Sequence, residues 1–214
     1  MGGGLPDTAV AAIVIAGGYV AGSMPFGYWF VRLVKHDDIR RHGSGNIGAT
    51  NVWRVYGRWL GVPVILLDVL KGFVPALLGT LLVGDLAGVL AGGAAMLGHW
   101  RPLFLRFERG GKTVATAGGT LFGVAPLLAV VSGGVWIATF LIFRYASVAS
   151  MVSAASIPVL AWALGEPWPV IVFGVCAAVA VAVLHRANIR RLLDGTESRF
   201  ELRRRRPATP SASP

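Results

Sequence analysis

At 214 residues, 55% hydrophobic and only 14% charged, with a mean hydropathy of +0.66, the chain is too apolar for a water-soluble domain, which carries nearer a quarter of its residues as charges. Its 20 Lys and Arg against 10 acidic residues give a net charge of +10. In so apolar a chain that excess reads as anchoring to anionic head groups and control of topology rather than nucleic-acid binding, with some cations available to a phosphorylated substrate. Cys176 is the only cysteine, and the four histidines show no metal-ligand spacing, so no disulfide and no zinc site is expected.

The residues before Asp7 lack the positive start of a secretory signal, so the first apolar block is expected to stay as a helix. Apolar blocks follow at 8–34, 60–83, 86–100, 114–131, 133–145, 147–164 and 167–184, near the roughly 20 residues that cross a bilayer. Gly22 to Gly27, with Pro25 inside, breaks the first block and predicts a kink lining a cavity. Asp68 and Lys71, three residues apart in the second, predict an ion pair facing the bundle. Gly88 with Gly92 and Gly119 with Gly123 are small residues at the spacing that lets helices pack closely, or that opens a groove for an acyl chain. No internal repeat is evident. Residues 1–200 read as a single domain, and 201–214, with Arg203 to Arg206, as a disordered polybasic tail against anionic lipid.

Charge placement orients these blocks. With seven spans, the connections 35–59, 101–113, Arg144 and the segment from 185 fall on one side and contain every Lys and Arg except Arg32 and Lys71. The other side has Asp7, Asp85 and Glu166. The expected fold is therefore all-α, with seven transmembrane helices, the N-terminus outside and the C-terminus cytoplasmic.

Three polar clusters fall on the cytoplasmic side. The first runs from Asp38 through Gly43-Ser44-Gly45-Asn46-Ile47-Gly48-Ala49-Thr50-Asn51 to Arg54. Its glycines can turn N–H groups toward an oxyanion, and Ser44, Asn46, Thr50 and Asn51 add side-chain donors. Arg54 adds a planar charged fork suited to phosphate. The second, Arg109-Gly110-Gly111-Lys112-Thr113, opens a helix. It is no Walker A loop, because Arg106 stands where that motif has its first glycine, but glycines and a lysine at a helix start still suit a phosphate. As a bare positive anchor it would be unremarked. The third, His185 to Leu192 with Gly195-Thr196-Glu197, puts His185 and Asn188 on one helix face, where a histidine can act as base or hold a hydroxyl. Ser147 adds a hydroxyl near the same side.

Taken together, S-G-N-I-G-A-T-N (Ser44–Asn51), G-G-K with V-A-T (Gly110–Thr116) and H-x-x-N-I-x-R-L with G-x-E (His185–Glu197) resemble the PlsY-type acyl-phosphate:glycerol-3-phosphate acyltransferases over about Gly22 to Phe200. The resemblance implies a small bacterial inner-membrane enzyme with no metal and no cofactor. It would transfer a fatty acyl group from acyl phosphate to the sn-1 hydroxyl of glycerol-3-phosphate, giving lysophosphatidic acid and phosphate as the first acylation of phospholipid synthesis. Its site would lie at the cytoplasmic face. His185, Ser44, Arg54 and Lys112 would be catalytic. Ser44, Asn46, Asn51, Arg54, Gly110, Gly111, Lys112, Ser147, His185 and Asn188 would bind substrates, with Glu197 structural beside them. Expected partners are the two substrates, membrane lipids and a soluble enzyme that makes acyl phosphate. Thr113 departs from the usual last glycine of G-G-K-G, and Arg109 from a usual lysine.

The chemistry is consistent. Acyl phosphate is already activated, so no covalent enzyme intermediate is needed, and the site must hold two anions and align a hydroxyl with a carbonyl. His185 either takes the hydroxyl proton or positions the substrate while a phosphate oxygen takes it, and both remain open at this level. The H-x-x-x-x-D pair of soluble glycerolipid acyltransferases is absent, since Arg41, Ile47, Phe104 and Arg190 lie five residues after the histidines. A transporter or channel for an anionic solute is the alternative.

Overall fold

The computed structural model describes residues 6–200 and is helical throughout, without a strand among them. The expected tail at 201–214 lies outside the described residues. Ten α-helices follow in order: α1 (Asp7–Gly22), α2 (Phe26–Lys35), α3 (Ala49–Tyr56), α4 (Arg58–Leu82), α5 (Asp85–Trp100), α6 (Val114–Val124), α7 (Pro126–Phe143), α8 (Ala146–Ala163), α9 (Trp168–Leu184) and α10 (Arg186–Leu193). Short 3₁₀ turns at Ile39–Arg41 and Leu103–Leu105 shape two of the loops.

Four stretches are long and apolar enough to cross a bilayer: Asp7–Lys35, Arg58–Leu82, Pro126–Phe143 and Ala146–Ala163. The pair α9 and α10, bent by 56°, makes a fifth. Leucines, valines and tryptophans such as Leu81, Leu141, Trp162 and Trp168 are exposed along these helices. That is the wrong outside for water and the right one for hydrocarbon, since apolar patches this extensive are not carried by soluble monomers.

The predicted break in the first block is present, between Gly22 and Phe26. It lines neither of the two large cavities. It frees the Met24 carbonyl instead, which accepts from Lys71 Nζ at 3.2 Å. The sequence placed the next boundary at Ser132, between blocks 114–131 and 133–145, and there the structure differs. α6 ends at Val124 and α7 begins at Pro126 and runs unbroken through Ser132-Gly133-Gly134. Proline at the first helical position has no N–H to lose and starts a helix well, whereas isolated glycines are tolerated inside one. α6 is left with 11 residues, about 16 Å at 1.5 Å per residue.

Close packing explains many of the intramembrane glycines. A Cβ on Gly119 would stand 2.0 Å from the Val69 carbonyl oxygen, and one on Gly22 2.1 Å from that of Ala95. These contacts clamp α6 onto α4 and α1 onto α5. Gly88 and Gly92 are likewise filled, by Thr80 and Thr120. None of the four glycines expected to open a groove lines either cavity.

The loops carrying the three clusters meet at one end of the bundle. Arg40 bridges the first loop to Glu108 of the second at 2.6 Å, and Asn46 Nδ2 donates to the Gly110 carbonyl at 3.3 Å. The Phe200 N–H closes on the Arg144 carbonyl at 2.8 Å. Chain segments more than a hundred residues apart are thereby gathered around one opening.

Candidate active site

The opening is a cavity of about 380 Å³. Ser44, Asn46, Asn51, Arg54, Lys112, Ser147, His185, Asn188 and Glu197 all line it. Below this polar mouth the cavity continues as an apolar arm between α6, α7, α8 and α9, past Leu121, Phe122, Trp136 and Ile157. A second cavity of about 650 Å³, lined almost entirely by apolar side chains, lies between α5 and α9, and Thr113 and Ala177 line both.

One side of the mouth is held by a network built on Glu197. Its Oε1 accepts from Ser147 Oγ at 2.7 Å and from Asn188 Nδ2 at 2.7 Å, and Arg191 Nε meets Oε2 at 2.7 Å. Burial would raise this carboxyl, but those hydrogen bonds outweigh it and hold Glu197 below the ordinary carboxylate value. With its amide hydrogens drawn to Glu197, Asn188 presents Oδ1 to Lys112 Nζ in a short hydrogen bond. Glu197 thus orients Lys112 through Asn188. Burial pushes the Lys112 ammonium down to about 8, opposed by Glu197 and reinforced by Arg191, Arg109 and Arg54. Burial also lowers Arg54, whose guanidinium lies over the Phe200 ring, 5.2 Å from its centroid. Neither Arg54 nor the Ser44 hydroxyl has a hydrogen-bond partner among the described residues. The mouth therefore holds two half-buried cations and free donors suited to an anion.

His185 ends α9 and is 3% exposed. Its Nδ1 lies 2.8 Å from the Val181 carbonyl oxygen, which can only accept, so Nδ1 carries the proton and Nε2 keeps its lone pair. The sequence placed His185 here, and this tautomer is what a base or a hydroxyl acceptor needs.

Several predicted residues have their hydrogen bonds engaged in shaping the loops. Asn51 accepts from the Ser44 N–H at 2.9 Å and donates to the carbonyls of Asn46 and His42, at 2.8 and 3.0 Å. Asn46 Oδ1 accepts from the Gly48 N–H at 2.7 Å. In the second loop Gly110 and Gly111, expected to bind substrate, have their N–H groups already engaged. Gly110 N–H donates to Trp100 and Gly111 N–H to His99, at 2.9 and 2.8 Å, and neither glycine lines the cavity. They back Lys112 rather than face a ligand. Unpartnered or cavity-facing donors beside these glycines include Lys112 and the Thr113 hydroxyl.

Two features escaped the sequence reading of the site. Asp68 and His99 reach the cavity wall, and the expected ion pair of Asp68 with Lys71, at 2.8 Å, extends to His99 Nδ1 at 2.6 Å. The signal available was a third buried polar residue, His99, closing an apolar helix just ahead of the second cluster. Thr113 adopts a left-handed backbone, φ 64°, where glycine is the unstrained residue, and its buried hydroxyl has no partner among the described residues.

Comparison with known proteins fits this geometry. The family model described as glycerol-3-phosphate acyltransferase matches residues 12–195. The chain belongs to the glycerol-3-phosphate acyltransferase family. It is 46% identical over 199 residues to the glycerol-3-phosphate acyltransferase of Desulforudis audaxviator, covering 92% of this chain and 100% of that one. The Rhizobium meliloti protein of the same name is 44% identical, over 92% of this chain and 94% of its own. Among solved structures, PlsY (YgiH), an integral membrane glycerol 3-phosphate acyltransferase, matches in its glycerol 3-phosphate form at TM-score 0.86 and 41% identity, over 89% of this chain and 96% of that one. Its lysophosphatidic acid form matches at TM-score 0.83 and 39% identity, over 89% and 95% of the two chains.

Proposed function

We propose that this chain transfers a fatty acyl group from acyl phosphate to the sn-1 hydroxyl of glycerol-3-phosphate, releasing lysophosphatidic acid and inorganic phosphate. The observation that carries the reading is one continuous cavity with Arg54, Lys112 and Ser44 at its mouth and an apolar arm below. Such a cavity suits a reaction whose substrates are two phosphate anions, one of them with a hydrocarbon tail. The related PlsY structures, in a glycerol 3-phosphate and a lysophosphatidic acid form, support the acceptor and the product.

In this mechanism Arg54, Lys112 and Ser44 hold the two phosphates against their mutual repulsion, while the acyl chain lies in the apolar arm. The glycerol oxygen attacks the carbonyl carbon, the bond from that carbon to the phosphate oxygen breaks, and phosphate leaves. His185 Nε2 accepts the hydroxyl hydrogen and takes the proton as the carbon–oxygen bond forms. Ser147, Asn188 and Glu197 position Lys112. Gly110, Gly111, Asn46 and Asn51 fix the loops.

The same reading assigns seven crossings: the broken pair α1–α2, then α4, α5, α6, α7, α8 and α9. In that arrangement the N-terminus is outside and the site faces the cytoplasm across a bacterial inner membrane, where a soluble enzyme supplies acyl phosphate. The cation-rich loops at one end of the bundle support it. The test is phosphate release by purified protein in detergent or lipid mesophase, given glycerol-3-phosphate and palmitoyl phosphate, with palmitoyl-CoA in parallel. Release that needs both phosphates, with little product from the CoA ester, is expected. Equal or better transfer from CoA would overturn the donor assignment.

A further inference from the structure

The buried cluster behind the second loop fixes the chemistry of His99. An ammonium has three hydrogens and no lone pair. Around Lys71 Nζ stand three acceptors: Asp68 Oδ1 at 2.8 Å, the Met24 carbonyl at 3.2 Å and His99 Nδ1 at 2.6 Å. Lys71 and Asp68 are 4% and 2% exposed and stand at ion-pair distance, with Lys71 taken as the ammonium of that pair. His99 Nδ1 must therefore accept, and its ring proton is forced onto Nε2. Among the described residues that Nε2–H has no partner. It lies against Gly111, where a Cβ would come within 1.8 Å of it, and His99 lines the cavity that Lys112 enters. An N–H without a partner at a cavity wall is open to an acceptor that enters the cavity. Here it is held in place by an ion pair, a chain break at Met24 and a glycine that leaves room beside it.

We propose that His99 is a second substrate-contacting histidine, whose Nε2–H donates to a phosphoryl oxygen held beside the Gly111–Lys112 turn. The two buried histidines of the site are then locked in opposite tautomers by their Nδ1 partners. The Val181 carbonyl leaves His185 Nε2 as an acceptor, and the Lys71 ammonium leaves His99 Nε2 as a donor. One faces the hydroxyl that loses a proton, the other an oxygen that carries charge. The proposal rests on the phosphate-binding part of the proposed function and not on the identity of the acyl donor.

Two variants separate contact from support. In His99→Asn the side-chain oxygen replaces Nδ1 as acceptor for Lys71, but nothing reaches the Nε2 position. In His99→Gln an amide N–H does reach it. The expected result is that His99→Asn keeps its unliganded melting temperature within a few degrees, yet raises KM for glycerol-3-phosphate or for acyl phosphate by roughly tenfold or more, as for a lost hydrogen bond to a charged group. His99→Gln should recover most of that loss. The substrate whose KM moves identifies the phosphate. Unchanged KM for both in His99→Asn, or equal losses in both variants with lowered melting temperatures, would overturn it. Wild-type protein labelled with ¹⁵N-histidine gives a readout independent of any variant's folding. His99 should appear as the Nε2–H tautomer, and its Nε2 signal should shift on adding glycerol-3-phosphate or inorganic phosphate. The Nδ1–H tautomer, or no shift with saturating phosphate, refutes the contact. If the shift is present while acyl phosphate gives no transfer, the donor assignment fails and the His99 contact stands.

Discussion

Lys112 offers the sharpest quantitative test, because its environment makes phosphate binding depend on pH in a range where glycerol-3-phosphate does not titrate. Burial holds the free lysine at about 8, from an ordinary 10.5. A phosphate dianion in contact favours the charged form and lifts that value. The ester's own second ionisation, near 6, is complete before pH 8. Binding above pH 8 must then take up a proton, and affinity falls by up to about tenfold per pH unit. Relative to pH 7, the dissociation constant should weaken about tenfold by pH 9 and about a hundredfold by pH 10. The unliganded protein moves the other way. Between about 8 and 10.5 the folded state has released a proton that the unfolded chain still holds, so stability rises with pH through that window.

Melting temperature measured from pH 7 to 10 at constant ionic strength, with and without glycerol-3-phosphate, reads both effects. The unliganded value should rise or hold while the ligand-induced increment shrinks. Lys112→Arg, charged throughout, should bind with a flat profile. A wild-type affinity that changes less than threefold from pH 7 to 9.5 would refute the reasoning, since the buried lysine would then not be the group that meets the phosphate.

Other outcomes follow from the same geometry. Glu197→Ala removes the shared acceptor of Ser147 and Asn188 and leaves the partly exposed Arg191 without its partner, which should cost about 1–2 kcal/mol of stability and lower turnover as Lys112 loses its orientation; chemical denaturation with matched kinetics checks both. Because Glu197 sits below its unfolded value, its stabilisation should be complete above the ordinary carboxylate range and vanish as pH falls through the lowered folded value. His185→Ala should retain the fold by circular dichroism while turnover falls at least ~10²-fold, and near-normal turnover would remove His185 from the chemistry. Gly111→Ala should abolish activity by driving a Cβ into the His99 ring, whereas Gly134→Ala, with nothing within 4 Å, should stabilise the protein by about 0.5–1 kcal/mol; melting curves distinguish the two.

The residues proposed to recognise phosphate were legible because their chemistry is local in the sequence. Ser44, Arg54, Lys112, His185 and Asn188 announce themselves as polar groups among glycines at the ends of apolar blocks, and all reach one cavity. Partner choice was not legible. Whether the Gly111 N–H faces a ligand or a carbonyl depends on where the end of α5 lies, and the acceptor is His99, twelve residues back on another helix. The α6–α7 boundary failed for a similar reason. Ser132-Gly133-Gly134 is a local weakness that packing overrides, while Ala125-Pro126 looks unremarkable until the N–H that proline lacks is counted as one that a helix start does not need.

The polar groups of the site fall into two sets, and the division follows from the low dielectric around them. One set of groups pairs within the protein: Asp68 at ion-pair distance from Lys71, Asn51 with the first loop, Glu197 with Ser147, Asn188 and Arg191. The groups proposed to meet substrate keep an unmatched donor or acceptor: Ser44, Arg54, Lys112, and Nε2 on each histidine. An unmatched donor or charge costs free energy in the empty protein, and that cost is recovered when an anion fills the mouth. The fixed set is what prevents the unmatched groups from pairing with one another. Glu197, a carboxylate among the cations of the mouth, would otherwise be a natural partner of Lys112 or Arg54. It is held off by Ser147, Asn188 and Arg191, so the cations remain available to phosphate.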